Sequence, residues 1–474
     1  MNTIWIPDLS QLQGPKYRVL TDALRVDITS GALPPGTRLP TVRELAWRLS
    51  VTPGTVARAY QAATTEGLLQ ATVGRGTFVA ERTESLPPLR SSPSVGLIDP
   101  LFGAEPLARP DLLDMRSPHL PQVGQTAAFA SALQRVGSRI GSDWLTYTSQ
   151  DQEAPLRAAV CNWLSDRTLG PLGPGDVMLT LGGQNAISLV MNATLGGDRP
   201  VVLVEDLAFP GFRYVARLAR AEVVPVAMDG EGMCPDALEA ACRMHRPQLL
   251  CLMPEVQNPT AARMGLDRRA RIVSTAQRYN LQIIEDECYA PTVSPYPALR
   301  ALAPERTWYI GSFSKTVSAS LRFGYAISPL GQGEAARLVV QHNYFALPQP
   351  LSTLCLDLFT TGAAQDIRRA AQAEITTRLA LVVGRLQPYA PCWQPGVPFV
   401  WLRLPQGWRA SSFARNAEEA GVLLRSADQY ALINSRVPHA VRLALPCDVP
   451  LAALEAGLDS LARLLPNPPS DMAV

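Results

Sequence analysis

The feature that most constrains the fold is an alternation of short apolar runs with helical patterns, which begins at about residue 170. Examples are "VMLT" before "NAISLVMNATL", "PVVLVED" before "FRYVARLAR", and "QLLCLMP" before "DRRARIVSTAQRYN". Strands that alternate with helices predict an α/β domain with a mostly parallel central sheet and helices on both faces. Ligands in such sheets bind beyond the carboxyl ends of the strands, so the site is expected there.

Polar and aromatic residues follow one predicted strand after another at these ends. In chain order the candidates are Gly183, Gln184, Phe209, Asn258, Asp286, Tyr289, Ser312, Ser314, Lys315 and Arg322. Each type alone has an ordinary structural explanation, because aspartate often caps a helix, phenylalanine usually packs in the core, and glycine pairs often make tight turns. Their succession at neighbouring strand ends favours one shared site.

Lysine usage distinguishes one of these candidates. Lys and Arg together number 43, yet only Lys16 and Lys315 are lysines. Arginine stays protonated, whereas lysine can lose its proton and form an imine with an aldehyde. Pyridoxal 5′-phosphate requires such an amine, here Lys315, and an anion that keeps its pyridine nitrogen protonated, here Asp286.

The other candidates fit the remaining parts of this cofactor. Tyr289 and Asn258 would donate to its phenolate oxygen, and Phe209 would cover its ring. Backbone amides at a helix start, hydroxyls and a cation form a phosphate site. The residues predicted for that role are Gly183, Gln184, Ser312, Ser314 and Arg322.

The first 80 residues carry a different pattern: two helices, a short turn, a third helix and a hairpin. This order predicts a winged helix-turn-helix whose third helix enters the major groove of DNA. Its start carries Thr52, Thr55 and Arg58, and the wing tip reads Gly74-Arg75-Gly76. Eight basic and five acidic side chains give this region a net charge of +3, which favours an anionic partner. The alternative is a generic three-helix domain with solvated arginines.

The stretch "GALPPGTRLPTVRELAWRLSVTPGTVARAYQAATTEGLL", followed by "GRGTF", resembles the DNA-binding domain of GntR-family repressors. The resemblance covers nearly all of residues 15–79. It implies binding to a double-stranded DNA operator. The DNA-contacting positions that it implies are Arg43, Thr52, Thr55, Arg58 and Gly76.

Residues 140–465 resemble fold-type I aminotransferases, through "QNPT", "IIEDECY", "SFSKTVSASLRFGY" and "VRLALP". The resemblance implies a smaller C-terminal α+β part, a carboxylate-binding role for Arg442, and a contribution of Tyr147 to the cofactor site of the partner subunit. A GntR-type domain joined to this fold resembles the MocR subfamily of bacterial regulators. That likeness implies a head-to-tail, domain-swapped homodimer that responds to a small amino compound.

Two residues depart from simple expectations. The glycine that usually follows Asn-Pro-Thr in these enzymes is Ala261, which puts the shape of that loop in question. Arg213 is a possible second carboxylate contact, although the pattern favours an exposed helix arginine.

The composition along the chain predicts its domain organisation and its cellular environment. The predicted organisation is a DNA-binding domain over 1–80, a Pro- and Ser-rich linker over 81–115 and the aminotransferase-like domain over 116–474. The eight cysteines are scattered without metal-ligand spacing, so we expect reduced thiols in a cytosolic protein and no metal site. The resemblance to the MocR subfamily implies a bacterial cytoplasmic protein that associates with the nucleoid when bound to DNA. The sequence contains no run of 18 apolar residues, so we predict no membrane span.

The sequence leaves three functions open. The first is a regulator that senses an amino compound, or the cofactor itself, through an imine with pyridoxal phosphate. The second is a working aminotransferase that carries a DNA-binding domain. The third is a DNA-binding protein whose large domain only dimerises.

Overall fold

A computed structural model describes residues 5–7, 16–72, 76–80, 112–289, 294–432, 435 and 437–469. The chain divides into two compact units, residues 1–105 and 106–474. Most of the predicted linker, residues 81–111, lies outside the described residues. The last predicted linker residues pack with the larger unit, because Leu113–Asp114 forms a strand there and Met115 is fully buried.

The first unit contains three helices and a hairpin. Its elements are α1 Lys16–Thr29, α2 Val42–Arg48, α3 Pro53–Thr65, β1 Leu69–Thr72 and β2 Gly76–Val79. The Thr41 hydroxyl accepts from the Glu44 N–H at the start of α2, and Thr52 caps α3 directly before Pro53. Leu20, Leu24, Leu45 and Val56 form its core with other apolar side chains. The hairpin strands pair antiparallel, and the wing residues 73–75 lie outside the described part.

The second unit is built on the predicted α/β sheet with a smaller part after it. Its strands are β3 Leu113–Asp114, β4 Val177–Thr180, β5 Val201–Glu205, β6 Glu222–Val226, β7 Met228–Asp229, β8 Gly232–Met233, β9 Leu249–Leu252, β10 Gln282–Asp286, β11 Thr307–Ser312, β12 Gly324–Ile327, β13 Phe399–Arg403, β14 Val422–Leu423, β15 Arg425–Ser426 and β16 Ala440–Ala444.

The helices of the second unit follow most of these strands. They are α4 Gln125–Gly137, α5 Gln150–Trp163, α6 Gly183–Thr194, α7 Pro210–Leu218, α8 Pro235–His245, α9 Leu266–Arg278, α10 Leu299–Leu302, α11 Gly333–Tyr344, α12 Gln349–Thr360, α13 Ala363–Leu386, α14 Ala410–Glu419 and α15 Leu451–Leu464. In the described part of the chain, no helix is both long and apolar enough to cross a membrane.

The central sheet has seven strands in the order β4-β12-β11-β10-β9-β5-β6. The pairs from β11 through to β6 are parallel, whereas β12 runs antiparallel to both of its neighbours. Alternate residues of one strand point to opposite faces. Val202 and Val204 therefore pack with α6 and α7, while Val201 and Leu203 pack with α8 and α9. The predicted fold, with helices on both faces of a mostly parallel sheet, is confirmed.

The smaller part carries an antiparallel sheet in the order β13-β16-β15. Side chains of α13, α14 and α15 pack with this sheet in a separate apolar cluster that includes Ile375, Phe413 and Leu458. This arrangement brings Arg442, at the centre of β16, to the region that also holds Asn258.

Candidate cofactor and effector site

The predicted phosphate residues meet at the amino end of α6. Gly182 precedes this helix with a φ of +91°, and a Cβ built there would lie 2.6 Å from Nη2 of Arg322. The Arg322 guanidinium donates to Oγ of Ser314 at 3.4 Å and to the Leu181 carbonyl at 3.3 Å. A helix amino end and a guanidinium together attract a phosphate.

Gln184 and Phe209 lie beside the amino end of α6. Gln184 Nε2 donates to the Gly211 carbonyl at 3.3 Å, while its buried Oε1 has no partner among the described residues. A Cβ on Gly211 would meet both Gln184 and the Phe209 ring at 2.2 Å, so this glycine permits their close approach. Phe209 is the residue that precedes the first turn of α7.

Asp286 ends the central strand β10 and is 3% exposed. Burial raises the pKa of its carboxyl, and hydrogen bonds from the Cys288 backbone N–H and thiol oppose that rise. The Cys288 N–H lies 3.0 Å from Oδ1 of Asp286. Cys288 in turn packs against the start of α6, since a Cβ on Gly183 would lie 2.7 Å from its Sγ. A buried carboxylate of this kind is stabilised by a cation.

Lys315 ends a short 3₁₀ turn, Phe313–Lys315, that directly follows β11. The Ser312 hydroxyl accepts from the Ser314 N–H at 3.3 Å and so caps that turn. The Lys315 ammonium lies 5.7 Å from the ring centre of Tyr289 and has no hydrogen-bond or ion-pair partner among the described residues. The amine is thus held in the cluster without a counter-ion from this part of the chain.

The far side of the cluster holds Arg442. The Tyr289 ring packs edge-on to Phe399 at 5.2 Å, and the Arg442 guanidinium lies 5.3 Å from the Phe399 ring centre. Arg442 is 3% exposed and donates to Oδ1 of Asn258 at 2.7 Å. Its buried Nε has no hydrogen-bond partner in the described part of the chain. A buried donor without a hydrogen-bond partner is unfavourable, so this N–H favours the binding of a ligand that brings an acceptor.

Residues behind the cluster hold the Asn258 loop. Gln257 is 1% exposed; it donates to the Leu207 carbonyl at 2.6 Å and to Oε2 of Glu205 at 3.1 Å, and it accepts from Thr260. Ala261 adopts a φ of +57°, and Gln394 Nε2 donates to its carbonyl at 2.7 Å. The loop therefore takes a glycine-like conformation in spite of the alanine, at a cost of roughly 1–2 kcal/mol.

Arg213 was expected to be an exposed helix arginine, and the structure corrects this. The side chain is half-buried and donates to the Ala431 carbonyl at 2.8 Å and to the Gln429 carbonyl at 3.2 Å. It therefore joins α7 to the segment before β16. Those bonds are long-range, so the local pattern of α7 could not indicate them.

Tyr147 lies apart from this cluster within one chain. Its ring is stacked on Phe345 with a centroid distance of 4.8 Å, and the two residues are 79% and 61% exposed. Leu145 beside it is 88% exposed. Apolar side chains exposed together in this way mark an interaction surface.

The predicted DNA-contacting residues lie on the first unit. Arg43 is exposed on α2, and the Thr52 and Thr55 hydroxyls lie 2.9 Å apart at the start of α3. Arg58 is exposed one turn later, with its guanidinium 4.2 Å from the Tyr17 ring centre. Gly76, with a φ of +116°, opens the second hairpin strand.

Arg38, which sequence reasoning did not single out, lies beside Gly76. Its Nε lies 3.3 Å from the position that a Cβ on Gly76 would take. Arg38 bridges to Phe78 of the hairpin, a pairing across 40 positions that local pattern cannot indicate. The wing therefore carries an additional exposed cation at its base.

The cluster in the second unit fits pyridoxal phosphate on three observations. The Asp286 carboxyl is buried and accepts only from Cys288 among the described residues. The Lys315 amine has no counter-ion there. The Arg322 guanidinium and the amino end of α6 converge on one place. The predicted site residues thus lie together, apart from Tyr147.

Fold and site together define a fold-type I aminotransferase-like domain in a chain that begins with a winged helix-turn-helix. Residues 114–461 match the family "Aminotransferase class I and II", and residues 16–79 match the gntR family of bacterial regulatory proteins. The chain belongs to the class I and II aminotransferase family and carries a GntR-type domain at its start.

Named relatives match most of this chain. An uncharacterized HTH-type transcriptional regulator, YdeF of Bacillus subtilis (strain 168), is 28% identical over 97% of this chain and 96% of its own. The probable rhizopine catabolism regulatory protein MocR of Rhizobium meliloti is 28% identical over 69% of this chain and 68% of its own. The predicted membership of the MocR subfamily is confirmed by these matches.

Among solved structures, the chain is similar to LysN, an α-aminoadipate aminotransferase from Thermus thermophilus in complex with N-(5′-phosphopyridoxyl)-L-leucine. The TM-score is 0.65 and the identity 25%, over 75% of this chain and 92% of that chain. With the family match, this similarity confirms pyridoxal phosphate as the predicted cofactor.

Proposed function

We propose that this protein is a transcriptional regulator that binds operator DNA through its winged helix-turn-helix and responds to a small amino compound at the pyridoxal phosphate site. The observation that carries the proposal is the cluster of half-buried Lys315 with buried Asp286 and Arg442, in a chain that also has a GntR-type domain. An amine-reactive site coupled to a DNA-binding domain is suited to sensing.

Each residue of the cluster has a role in the proposal. Arg322, Ser314 and the amino end of α6 would hold the cofactor phosphate. Asp286 would pair with the pyridine nitrogen, and Phe209 would cover the ring. When bound, pyridoxal phosphate supplies an aldehyde carbon that reacts with primary amines and a ring that withdraws electrons.

Lys315 and Arg442 would do the sensing. Lys315 would supply the amine that holds the cofactor, and the primary amine of an effector would compete with it for that place. Arg442, held by Asn258, would bind an anionic group of the effector and orient it. If the protein binds DNA with different affinities when the site is empty of effector and when it is filled, the effector would alter DNA binding. Such a difference is the requirement for allosteric coupling.

We further propose that two copies associate, with Tyr147, Phe345 and Leu145 in the interface. These exposed apolar side chains are the kind of surface that a second copy would cover. From the family resemblance we also propose that this dimer is head-to-tail and domain-swapped. The same resemblance supports a cytoplasmic protein that associates with DNA. Light scattering of wild type and of Tyr147→Glu would test it, since a charge there should shift the protein toward the monomer.

Absorption spectroscopy tests the cofactor site directly. Purified protein supplied with pyridoxal phosphate should show a band at about 420 nm that borohydride removes. Lys315→Ala and Lys315→Arg should both lack the band, because attachment needs a nucleophilic amine and charge alone does not replace it. Lys16→Arg, which changes the other lysine, is the matched control and should keep it. A colourless wild-type protein would leave only a dimerising DNA-binding scaffold.

A working aminotransferase is the second candidate, and it is favoured by the completeness of the cluster. Incubation with an amino donor and a 2-oxo acid separates the two functions. Sustained turnover would support the enzyme. A single spectral change without turnover, together with altered DNA affinity, would support the sensor.

A further inference from the structure

Two buried arginines lie side by side on neighbouring strands of the small antiparallel sheet. Arg425 of β15 is the register partner of Arg442 of β16, so both side chains lie on the same face. Arg425 is 8% exposed and Arg442 is 3% exposed. Local sequence could not indicate this pair, because 17 positions separate the two residues.

The two guanidinium groups converge on one oxygen atom. Arg425 Nε donates to the carbonyl of Arg116 at 2.9 Å, and Arg442 Nη2 donates to the same carbonyl at 2.6 Å. One N–H of each guanidinium is therefore directed to the same small region, while Nη1 of Arg425 donates to Oε1 of Gln429 at 3.1 Å. Two guanidinium groups this close together suit one compact ligand group that carries several oxygens better than they suit two carboxylates bound apart from each other.

Electrostatics also favours an anion beside Arg442. Like charges placed opposite each other on a sheet repel, and burial strengthens that repulsion. Among the described residues, Arg442 donates to neutral oxygens, namely the Arg116 carbonyl and Oδ1 of Asn258. Its buried Nε has no hydrogen-bond partner in the same part of the chain.

Tyr430 lies beside Arg442. The Arg442 guanidinium is 5.1 Å from its ring centre, and its buried hydroxyl has no hydrogen-bond partner in the described part of the chain. Burial raises the pKa of Tyr430 to about 12, and the charges of Arg442 and Arg425 act in the opposite direction. The phenol therefore stays protonated near neutral pH and is a further available donor.

We propose that Arg425 is a second effector-binding cation beside Arg442, and that the effector joins its primary amine to a dianionic phosphoryl head group, a phosphonate or a phosphate monoester. The inference rests on the proposed function, because it names the class of amine that the sensing site selects. Paired guanidinium groups bind phosphoryl oxygens through several charge-assisted hydrogen bonds.

The test compares three probes of equal chain length: β-alanine, taurine and 2-aminoethylphosphonate. Each is titrated into full-length protein loaded with pyridoxal phosphate, and the change in the cofactor band gives its affinity. At about pH 8.5 the phosphonate should bind roughly tenfold or more tightly than either monoanion. Arg425→Gln should bring the three affinities close together, whereas Arg425→Lys should keep part of the preference. Arg409→Gln, at an exposed arginine, is the matched control and should change none of them.

A second measurement needs no variant. The second ionisation of a phosphoryl group lies at about pH 6. The affinity ratio of phosphonate to taurine in wild type should therefore rise between about pH 5.5 and about pH 8.5, because amine protonation affects both probes alike. Equal affinities for all probes, a ratio that does not change with pH, or an equal loss for all probes in Arg425→Gln would overturn the inference. If none of the probes changed the cofactor band, the inference about the effector class would fail, whereas the sensing proposal would fail only if wild type lacked the borohydride-sensitive band.

Discussion

Gly182 is the residue at which we expect a small substitution to disturb binding of the cofactor phosphate most. An added methyl would lie 2.6 Å from the Arg322 guanidinium, and the backbone φ of +91° is unfavourable for any other residue. We expect Gly182→Ala to displace Arg322 and to weaken pyridoxal phosphate binding by about tenfold to a hundredfold, since a charge-assisted contact contributes about 1.5–3 kcal/mol. Titration of the apo-protein at the cofactor band measures this.

Gly196 provides the control for that experiment. A Cβ built on Gly196 meets no heavy atom within 4 Å. Gly196→Ala should therefore bind the cofactor like wild type. Wild-type affinity in Gly182→Ala would show that Arg322 does not hold the phosphate.

Glu205 gives the protein a dependence of stability on pH. Burial raises the pKa of its carboxyl from 4.5 to about 7. The folded state therefore holds this proton more tightly than the unfolded chain. Its stabilising effect is fully present below about pH 4.5 and is lost as the pH rises to about 7, by up to about 3 kcal/mol.

Denaturant unfolding over this pH range tests Glu205. The free energy of unfolding of wild type should fall more steeply between about pH 5 and about pH 7 than that of Glu205→Gln, which cannot titrate. The comparison uses the slopes, so a constant cost of the substitution does not matter. Parallel curves would show that Glu205 is already ionised at the acidic end of this range.

Helix α13 contains a weak position at Gly384, within its last turn. Gly384 is exposed, its φ is ordinary, and an added Cβ meets nothing within 4 Å. Glycine in a helix is less favourable than alanine by roughly 0.5–1 kcal/mol. We expect Gly384→Ala to stabilise the protein by about that amount in urea unfolding. A destabilised variant would mean that this helix end is not formed as described.

The wing of the first unit carries Arg38 at its base. If Arg38 contacts a DNA phosphate, Arg38→Ala should weaken binding about equally for different sequences and reduce the slope of log affinity against log salt by about 1. Fluorescence anisotropy at several salt concentrations measures this. Arg25, which pairs with Glu66 on the same unit, is the control and should leave the slope unchanged when replaced by alanine.

Elements and strand-end residues were accessible from the sequence because they depend on local signals. The alternation of apolar runs with helical patterns predicted the strands and helices, and parallel strands place their carboxyl ends at one edge of the sheet. Gln257 and Arg425 could not be found in this way. Their roles come from contacts with residues far along the chain, at Glu205 and Arg442.

In the whole molecule, a DNA-binding unit and a cofactor-binding unit lie in one chain. Their order was readable from the sequence, since each has its own pattern. How the effector alters DNA affinity depends on coupling between the units, and coupling is a difference in free energy that no single sequence motif encodes. A measurement on the full-length protein is therefore required.

The most direct test measures DNA affinity as a function of effector in the full-length protein. DNA fragments selected in vitro by the protein are titrated by fluorescence anisotropy, with pyridoxal phosphate present and with 2-aminoethylphosphonate added or omitted. We predict that the amine changes the Kd at least about fivefold in wild type, the lower limit of ordinary allosteric coupling, and leaves Lys315→Ala unchanged. An identical Kd with and without the cofactor and the amine in wild type, or an equal shift in Lys315→Ala, would contradict the account.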